Sequence, residues 1–195
     1  RQKFDWAKDP KRQPMLNNPD PSYHGMIWTE FAKAVGPIAY IVRARFVGLR
    51  DLGPALSPQS AFQIIQGLET VSLRMEKHCS NAEKVAEYLS SHNKVSKVIY
   101  AGLDEGEAGE RANKYLKGGH GALCGFELKG GKASGEKFIN NLNMFYHVAN
   151  IGDARSLAIH PATTTHSQLS DEDMESAGVN PSYVRLSIGI EHIDD

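Results

Sequence analysis

The sequence predicts a mixed α/β protein in which the end of one domain is followed by a small α/β domain. Before His92, apolar residues recur at helical spacing over long stretches, whereas after it short strand-like runs alternate with short helical patterns. The chain of 195 residues is also long enough for about one to one and a half domains.

The first part of the chain has an irregular start followed by a helical pattern. Residues 1–28 show no helical or strand period, although they contain several aromatic side chains, which disordered linkers usually lack. A loop of this length is uncommon inside a compact domain, so we expect it to belong to a larger protein. From Glu30 to Arg50 apolar residues recur at roughly helical spacing, with a break expected at Gly36-Pro37.

A long helix is predicted next. Ser57 is a suitable N-cap and Pro58 is preorganised for the first helical position. One face then stays apolar as far as Leu89, which exceeds an ordinary helix, and Gly67 and Ser80-Asn81 are the expected break points. The natural interpretation is a kinked helix that connects two domains.

The remaining residues alternate between strands and helices. A helix is expected over 109–117, another from its N-cap Ser134 to about Tyr146, and a third after Ser170 that ends at Gly178. Four strands are predicted, at 95–102, 121–130, 156–160 and 183–190.

The composition excludes several classes of function. A formal net charge of −1 argues against electrostatic binding to nucleic acid or to an anionic membrane. No signal peptide is visible in these residues, and they contain no run of eighteen apolar residues that could span a bilayer. Cys79 and Cys124 are far apart, and Cys124 lies in an apolar run as a small buried hydrophobe would. A reducing, cytoplasmic setting is the expectation.

The stretch SLAIHPATTTHSQLS, residues 156–170, resembles a catalytic or metal site. His160 and His166 are six residues apart, a spacing that does not bring two imidazoles onto one helical face. A metal site would need a further ligand such as His120 or Glu191, and no second dense cluster of ligands supports it. A nucleophile at Ser156 lacks the glycine pattern of a nucleophile elbow. Composition favours a third interpretation, in which loop hydroxyls bond the local backbone and His160 packs at a strand end.

Arg185 lies within the otherwise largely apolar run YVRLSIGI. A guanidinium at the centre of a strand must find a partner or reach solvent, because burying it unpaired is prohibitive. Its planar fork suits two-point contact with a carboxylate. That carboxylate belongs either to an Asp or Glu of the protein or to a ligand, with Ser156 as a second donor in the latter case.

Three segments carry a family resemblance: RDLGPALSPQSAFQIIQGLETVSLRMEKHCSNAEKVAEYL, NIGDARSLAIHPATTTHSQLS and VRLSIGIEHIDD. Together they closely resemble the Cys/Met-metabolism family of pyridoxal-phosphate (PLP) enzymes, and in particular its sulfhydrylase branch. The resemblance implies the aspartate-aminotransferase-like fold (fold type I). Residues 1–66 would then end the large cofactor domain, 67–92 would form the connecting helix, and 93–195 would form the small C-terminal α/β domain.

The resemblance also implies roles for individual residues. Arg185 matches the arginine that binds the substrate's α-carboxylate, Ser156 matches the serine that assists it, and Arg155 occupies a position that bears on substrate choice. PATTTH would then be a wall of the active site. The family's cofactor lysine follows a Ser-x-Thr, and no Ser-x-Thr-Lys occurs in this sequence. Ser134-Gly-Glu-Lys137 shares only the spacing and is interpreted as a helix cap.

The implied activity is a γ-replacement that converts O-acetylhomoserine and sulfide into homocysteine, in methionine biosynthesis. PLP would be bound by a missing N-terminal part, so no catalytic or cofactor-binding residue is expected in this chain, which alone would be inactive. A homotetramer is expected by the same resemblance. The alternatives are a cystathionine γ-synthase or γ-lyase type of enzyme, or a non-catalytic domain that binds a ligand or partner.

Overall fold

In the computed structural model, residues 4–195 are described, except for the side chain of Asp171. The chain forms two compact units, residues 1–64 and residues 65–195. Within the described residues, no helix combines the length and the apolar character needed to cross a membrane.

The first unit is helical. It contains α1 (Pro14–Asn17), α2 (Trp28–Ala32) and α3 (Ala39–Arg43), and α3 continues as a π-helical segment over Ala44–Asp51. The predicted break at Gly36-Pro37 is confirmed, because it separates α2 from α3. Periodicity did not predict α1 or the 3-10 turn Pro21–Tyr23, since both are shorter than a periodic pattern needs.

Trp28 organises this unit. Its ring is fully buried, its indole Nε1 donates to Asp20 Oδ2 at 2.9 Å, and it contacts the rings of Tyr23 and Phe46. The aromatic residues near the start of the chain are therefore packed against one another, as expected for a folded segment and not for a disordered linker.

The long helical segment is divided at Thr70. α4 (Pro58–Glu69) begins as predicted, because Ser57 Oγ accepts a hydrogen bond from the Ser60 amide at 3.1 Å. α5 begins after Thr70 and is continuous over Val71–Ser91. The predicted break points at Gly67 and Ser80-Asn81 were wrong. Gly67 lies inside α4, and Asn81 uses its side chain to bind carbonyl groups outside α5.

The second unit contains a five-stranded sheet in the order β1-β2-β5-β4-β3. The strands are β1 (Val95–Ile99), β2 (Leu123–Leu128), β3 (Tyr146–His147), β4 (Leu157–Ile159) and β5 (Tyr183–Ser187). All neighbours are antiparallel except β3 and β4, which are parallel. The four predicted strands are confirmed with shorter bounds, whereas β3 is too short for an alternating pattern to reveal.

One face of this sheet forms the core. Val184 and Leu186 of β5 are buried and cluster with Ala82 and Ala86 of α5 and with Phe126 of β2. Because successive strand residues point to opposite faces, Arg185 lies on the other face.

Three shorter helices complete the unit: α6 (Gly106–Tyr115), α7 (Gly131–Asn140) and α8 (Asp171–Ser176). Ser170 caps α8 as predicted, with its hydroxyl accepting from the Asp173 amide at 3.1 Å. The predicted cap at Ser134 was wrong, because α7 begins at Gly131 and places Ser134 within its first turns. Gly135 instead brings α7 close to His160, since a Cβ on Gly135 would overlap the imidazole.

Replacing Gly135 with alanine should destabilise the protein by about 1–3 kcal/mol, because the added methyl group overlaps His160. The matched control is Gly67→Ala in α4, where the nearest atom to the new Cβ is Arg74 Nη2 at 4.0 Å. Alanine is the better helix former, so this control should gain up to about 1 kcal/mol. Urea unfolding of both variants measures the difference, and a Gly135→Ala protein as stable as the control would contradict the packing.

The two thiols should differ in reactivity. Burial raises the pKa of Cys124 to about 11, and its side chain is inaccessible, whereas Cys79 is half-buried. At pH 8 the higher pKa alone lowers the thiolate fraction of Cys124 about a hundredfold relative to a thiol of ordinary pKa. Iodoacetamide labelling followed by peptide mass spectrometry should therefore find Cys79 modified first, and equal rates would argue against the burial of Cys124.

Candidate functional site

Arg185 lies at the centre of β5, between Gly125 of β2 and Ile159 of β4. Its Nη2 donates to the Asn150 carbonyl at 3.2 Å. Within the part of the chain that the structure describes, no carboxylate lies within ion-pairing distance of the guanidinium. The internal salt bridge left open by the sequence is therefore not formed among these residues.

A cavity of about 400 Å³ opens beside Arg185. Tyr100, Tyr183, His120 and Asp104 line it together with the arginine. Burial raises the pKa of Tyr183, while the nearby positive charge of Arg185 opposes this rise. The cavity thus combines the cation of Arg185 and the carboxylate of Asp104 with aromatic walls, which suits a small ligand that carries charged groups on an apolar body.

Ser156 is buried directly before β4, and its polar groups are used inside the protein. Its amide donates to Glu191 Oε1 at 2.6 Å, and its hydroxyl donates to Glu191 Oε2 at 3.0 Å. The same hydroxyl oxygen accepts from the Gly189 amide at 2.8 Å.

Glu191 therefore belongs to the site, although the sequence analysis considered it only as a possible additional metal ligand. Its signal in the sequence is an acidic residue directly after an apolar strand. Many strands end in this way where they enter solvent, so the pattern by itself did not identify a partner.

Arg155 is mostly exposed next to Ser156. Its guanidinium lies 4.5 Å from the centre of the Tyr146 ring, a cation–π distance, and its Nε is 3.5 Å from Asp153 Oδ1. The Arg155 amide also donates to Asp153 Oδ1 at 3.0 Å, and this hydrogen bond lowers the pKa of Asp153.

The loop 148–155 connects these arginines. It is attached to β5 where the Gly152 amide donates to Ser187 Oγ at 3.1 Å and where Arg185 binds the Asn150 carbonyl. Near its end, the Ala154 carbonyl accepts from the Ile190 amide at 2.9 Å. Arg185 thus contacts the loop that contains Arg155 and that directly precedes Ser156.

His160 is a packed histidine at the end of β4, as composition favoured. It is fully buried, with Nε2 at 2.8 Å from the Pro181 carbonyl and Nδ1 at 3.0 Å from Thr163 Oγ1. Thr164 Oγ1 donates to the His160 carbonyl at 2.9 Å. The Ser156 hydroxyl donates to Glu191 and accepts from the Gly189 amide, and it has no histidine partner among the described residues. The structure therefore does not support a nucleophile at Ser156 with a histidine base.

The positions of the described lysines bear on where PLP would attach. A lysine that forms a Schiff base with PLP must reach the substrate cavity. The described lysines are exposed, apart from the half-buried Lys77, and none lines the cavity beside Arg185. The cavity beside Arg185 is thus lined by an arginine and, among the described residues, not by a lysine.

Comparison with known proteins assigns the chain to one enzyme family. Residues 16–195 match the family model described as Cys/Met metabolism PLP-dependent enzyme. The O-acetyl-L-homoserine sulfhydrylase of Leptospira meyeri is 51% identical over 198 residues, which cover 98% of this chain. The O-acetyl-L-homoserine sulfhydrylase 1 of Thermus thermophilus is 49% identical over 184 residues, which cover 94% of this chain.

A solved structure shares the fold. It is that of a Campylobacter jejuni protein assigned as an O-acetylhomoserine (thiol)-lyase, which contains N'-pyridoxyl-lysine-5'-monophosphate. It matches 96% of this chain with a TM-score of 0.78 and 42% sequence identity. The present chain spans 44% of the length of that chain, and 44% and 43% of the two sulfhydrylases.

The structural role of His160 can be tested against that of His166. Replacing His160 with alanine should destabilise the protein by about 2–4 kcal/mol, because it opens a cavity and leaves the Pro181 carbonyl without its donor. His166 is only partly buried, and its Nδ1 contacts the exposed Thr165 hydroxyl. His166→Ala should therefore change the free energy of unfolding by no more than about 0.5 kcal/mol. Equal losses in urea unfolding would contradict this assignment.

Proposed function

We propose that this chain, which belongs to the Cys/Met-metabolism family of PLP-dependent enzymes, contributes the substrate-carboxylate site of an O-acetylhomoserine sulfhydrylase. The observation that carries the proposal is the half-buried Arg185 beside the cavity, without an ion-pairing partner among the described carboxylates. A cation held in this way favours a carboxylate supplied by a ligand.

The proposed reaction is a γ-replacement in which sulfide displaces the acetate group of O-acetylhomoserine to form homocysteine. The names of the relatives from Leptospira meyeri and Thermus thermophilus support this choice within the family. We propose that PLP is held by residues outside this chain, because no described lysine lines the cavity beside Arg185. We propose that the contribution of this chain to the reaction is to bind and orient the substrate.

Arg185 has donors available for this task. Its Nη2 is engaged with the Asn150 carbonyl, whereas Nε and Nη1 have no hydrogen-bond partner among the residues described. Two-point contact with the α-carboxylate would restrict rotation of the substrate and orient its Cα–H bond.

The other two predicted substrate-binding residues would act differently from each other. Arg155, exposed and stacked on Tyr146, would face the substrate's side chain or leaving group and influence which substrate is accepted. Ser156 is buried, and its amide and hydroxyl both donate to Glu191. We therefore propose that Ser156 supports the structure of the site and does not contact the substrate directly.

The remaining parts of the proposal concern the whole protein. We propose that residues 1–66 end the large cofactor domain, that 67–92 form the connecting helix, and that 93–195 form the small domain. A cytoplasmic homotetramer, completed by the cofactor-bearing part, is the assembly that the family resemblance favours.

The test is Arg185→Ala in the complete enzyme that contains this segment. We expect the KM for O-acetylhomoserine to rise and kcat/KM to fall by about 30- to 1000-fold, which corresponds to about 2–4 kcal/mol for a lost charge-assisted contact.

Arg111→Ala is the matched control, because Arg111 is an exposed arginine of α6 whose ion-pairing partner is Glu107 at 4.0 Å. The control should retain the kcat/KM of the unmodified enzyme. An Arg185→Ala enzyme with unchanged kcat/KM for O-acetylhomoserine would refute the carboxylate-binding role.

A further inference from the structure

We propose that Glu191 is a positioning residue, which acts through Ser156 to hold the loop 148–155 in the arrangement that orients Arg185. The inference rests on the proposed function, because it takes Arg185 to be the group that binds the substrate's carboxylate. It adds a residue that the sequence analysis did not assign to substrate binding.

The geometry of the Glu191–Ser156 pair is specific for a carboxylate. Each carboxylate oxygen accepts one hydrogen bond from Ser156, Oε1 from the amide and Oε2 from the hydroxyl. An amide side chain has one acceptor oxygen and would present NH₂ to the hydroxyl. The Ser156 oxygen already accepts from the Gly189 amide, so the serine's own proton would then lose its acceptor.

Glu191 is itself held in place from α5. The Asn81 side-chain amide donates to the carbonyls of Gly189 at 3.1 Å and of Glu191 at 2.9 Å. His78 Nδ1 lies 2.6 Å from the Ile188 carbonyl, so the imidazole donates there. The segment 188–191 is therefore anchored to a long helix and provides a fixed base for the carboxylate.

The contact is also close. A Cβ at position 189 would overlap both the Glu191 carboxylate and the Ala154 carbonyl, so glycine is required for this approach. The Ile190 amide donates to the same Ala154 carbonyl at 2.9 Å. Segment 188–191 and the end of the loop thus pack backbone against backbone.

The loop then reaches the carboxylate-binding arginine. Ser156 directly follows the loop 148–155, and the Asn150 carbonyl within that loop accepts a hydrogen bond from Arg185 Nη2. Releasing Ser156 from Glu191 would allow the loop to shift, and the guanidinium would lose its fixed orientation. A displacement of about 1 Å is enough to impair binding and catalysis strongly.

The experiment measures preference for a carboxylate in the complete PLP-loaded enzyme. L-norvaline has no leaving group and serves as a competitive inhibitor, and L-norvalinamide is its α-carboxamide. The carboxylate preference is the inhibition constant of norvalinamide divided by that of norvaline. Melting temperature is recorded in parallel, because a purely structural residue would lower stability without changing this ratio.

We expect Glu191→Gln to lower the carboxylate preference about tenfold and to raise the KM for O-acetylhomoserine more than it lowers kcat. Glu107→Gln is the control, since Glu107 lies in α6 with a side chain that is 94% exposed. It should leave the ratio unchanged.

Ser156→Ala tests the same link if Glu191→Gln does not fold, because it removes only the hydroxyl contact. It should lower the preference in the same direction, and the double variant should lower it by less than the product of the two single effects. An unchanged ratio in a folded Glu191→Gln or Ser156→Ala enzyme would overturn the positioning role.

Arg185→Ala separates the two proposals. If it abolishes the carboxylate preference while Glu191→Gln leaves it intact, the proposed function stands and the positioning role fails. If Arg185→Ala leaves the preference intact, the carboxylate-binding role itself fails.

Discussion

The candidate site depends on one hydrogen-bonded junction, the contact between the Glu191 carboxylate and Ser156. It joins the segment that follows β5 to the residue that precedes β4, although the two lie 35 positions apart in the chain. The half-buried Glu191 carboxylate accepts two hydrogen bonds from Ser156. Such a contact is stronger than one between neutral groups, because charge-assisted hydrogen bonds are roughly twice as strong as neutral ones. The junction is therefore well suited to hold the end of the loop 148–155 in place.

The alternation of side chains along β5 determines which face of the sheet Arg185 lies on. Its neighbours Val184 and Leu186 enter the core beside α5, so the strand cannot slip by one residue without exposing them and burying the guanidinium. The apolar core on one face thereby keeps a cation on the opposite face. Glycine at position 125 contributes space there, since a Cβ at that position would overlap the Tyr183 side chain.

The histidine–threonine stretch shows how similar residues can have a purely structural use. His160 and its threonines connect the end of β4 to Pro181, just before β5, and α7 packs against the imidazole at Gly135. This arrangement fixes the turn that follows β4 and occupies both ring nitrogens of His160 in structural contacts. Residues that suggest catalysis in a sequence can thus serve mainly to close a loop.

The sequence by itself determined the α/β class, the four main strands, the cap of α4 and the position of Arg185 in a strand. These features depend on local periodicity, capping and one conspicuous charge in an apolar run. A resemblance to one enzyme family, carried by three segments, pointed to the role of Arg185.

Only the tertiary structure decided the rest. The two-residue strand β3 and the role of Gly135 depend on contacts with distant residues, which no local pattern records. The same is true of Glu191, whose partners Ser156 and Asn81 are brought to it by the sheet and by α5. Pairing between residues far apart in the chain is a property of the fold, so a hydrogen-bonded junction becomes visible only when the strands are in register.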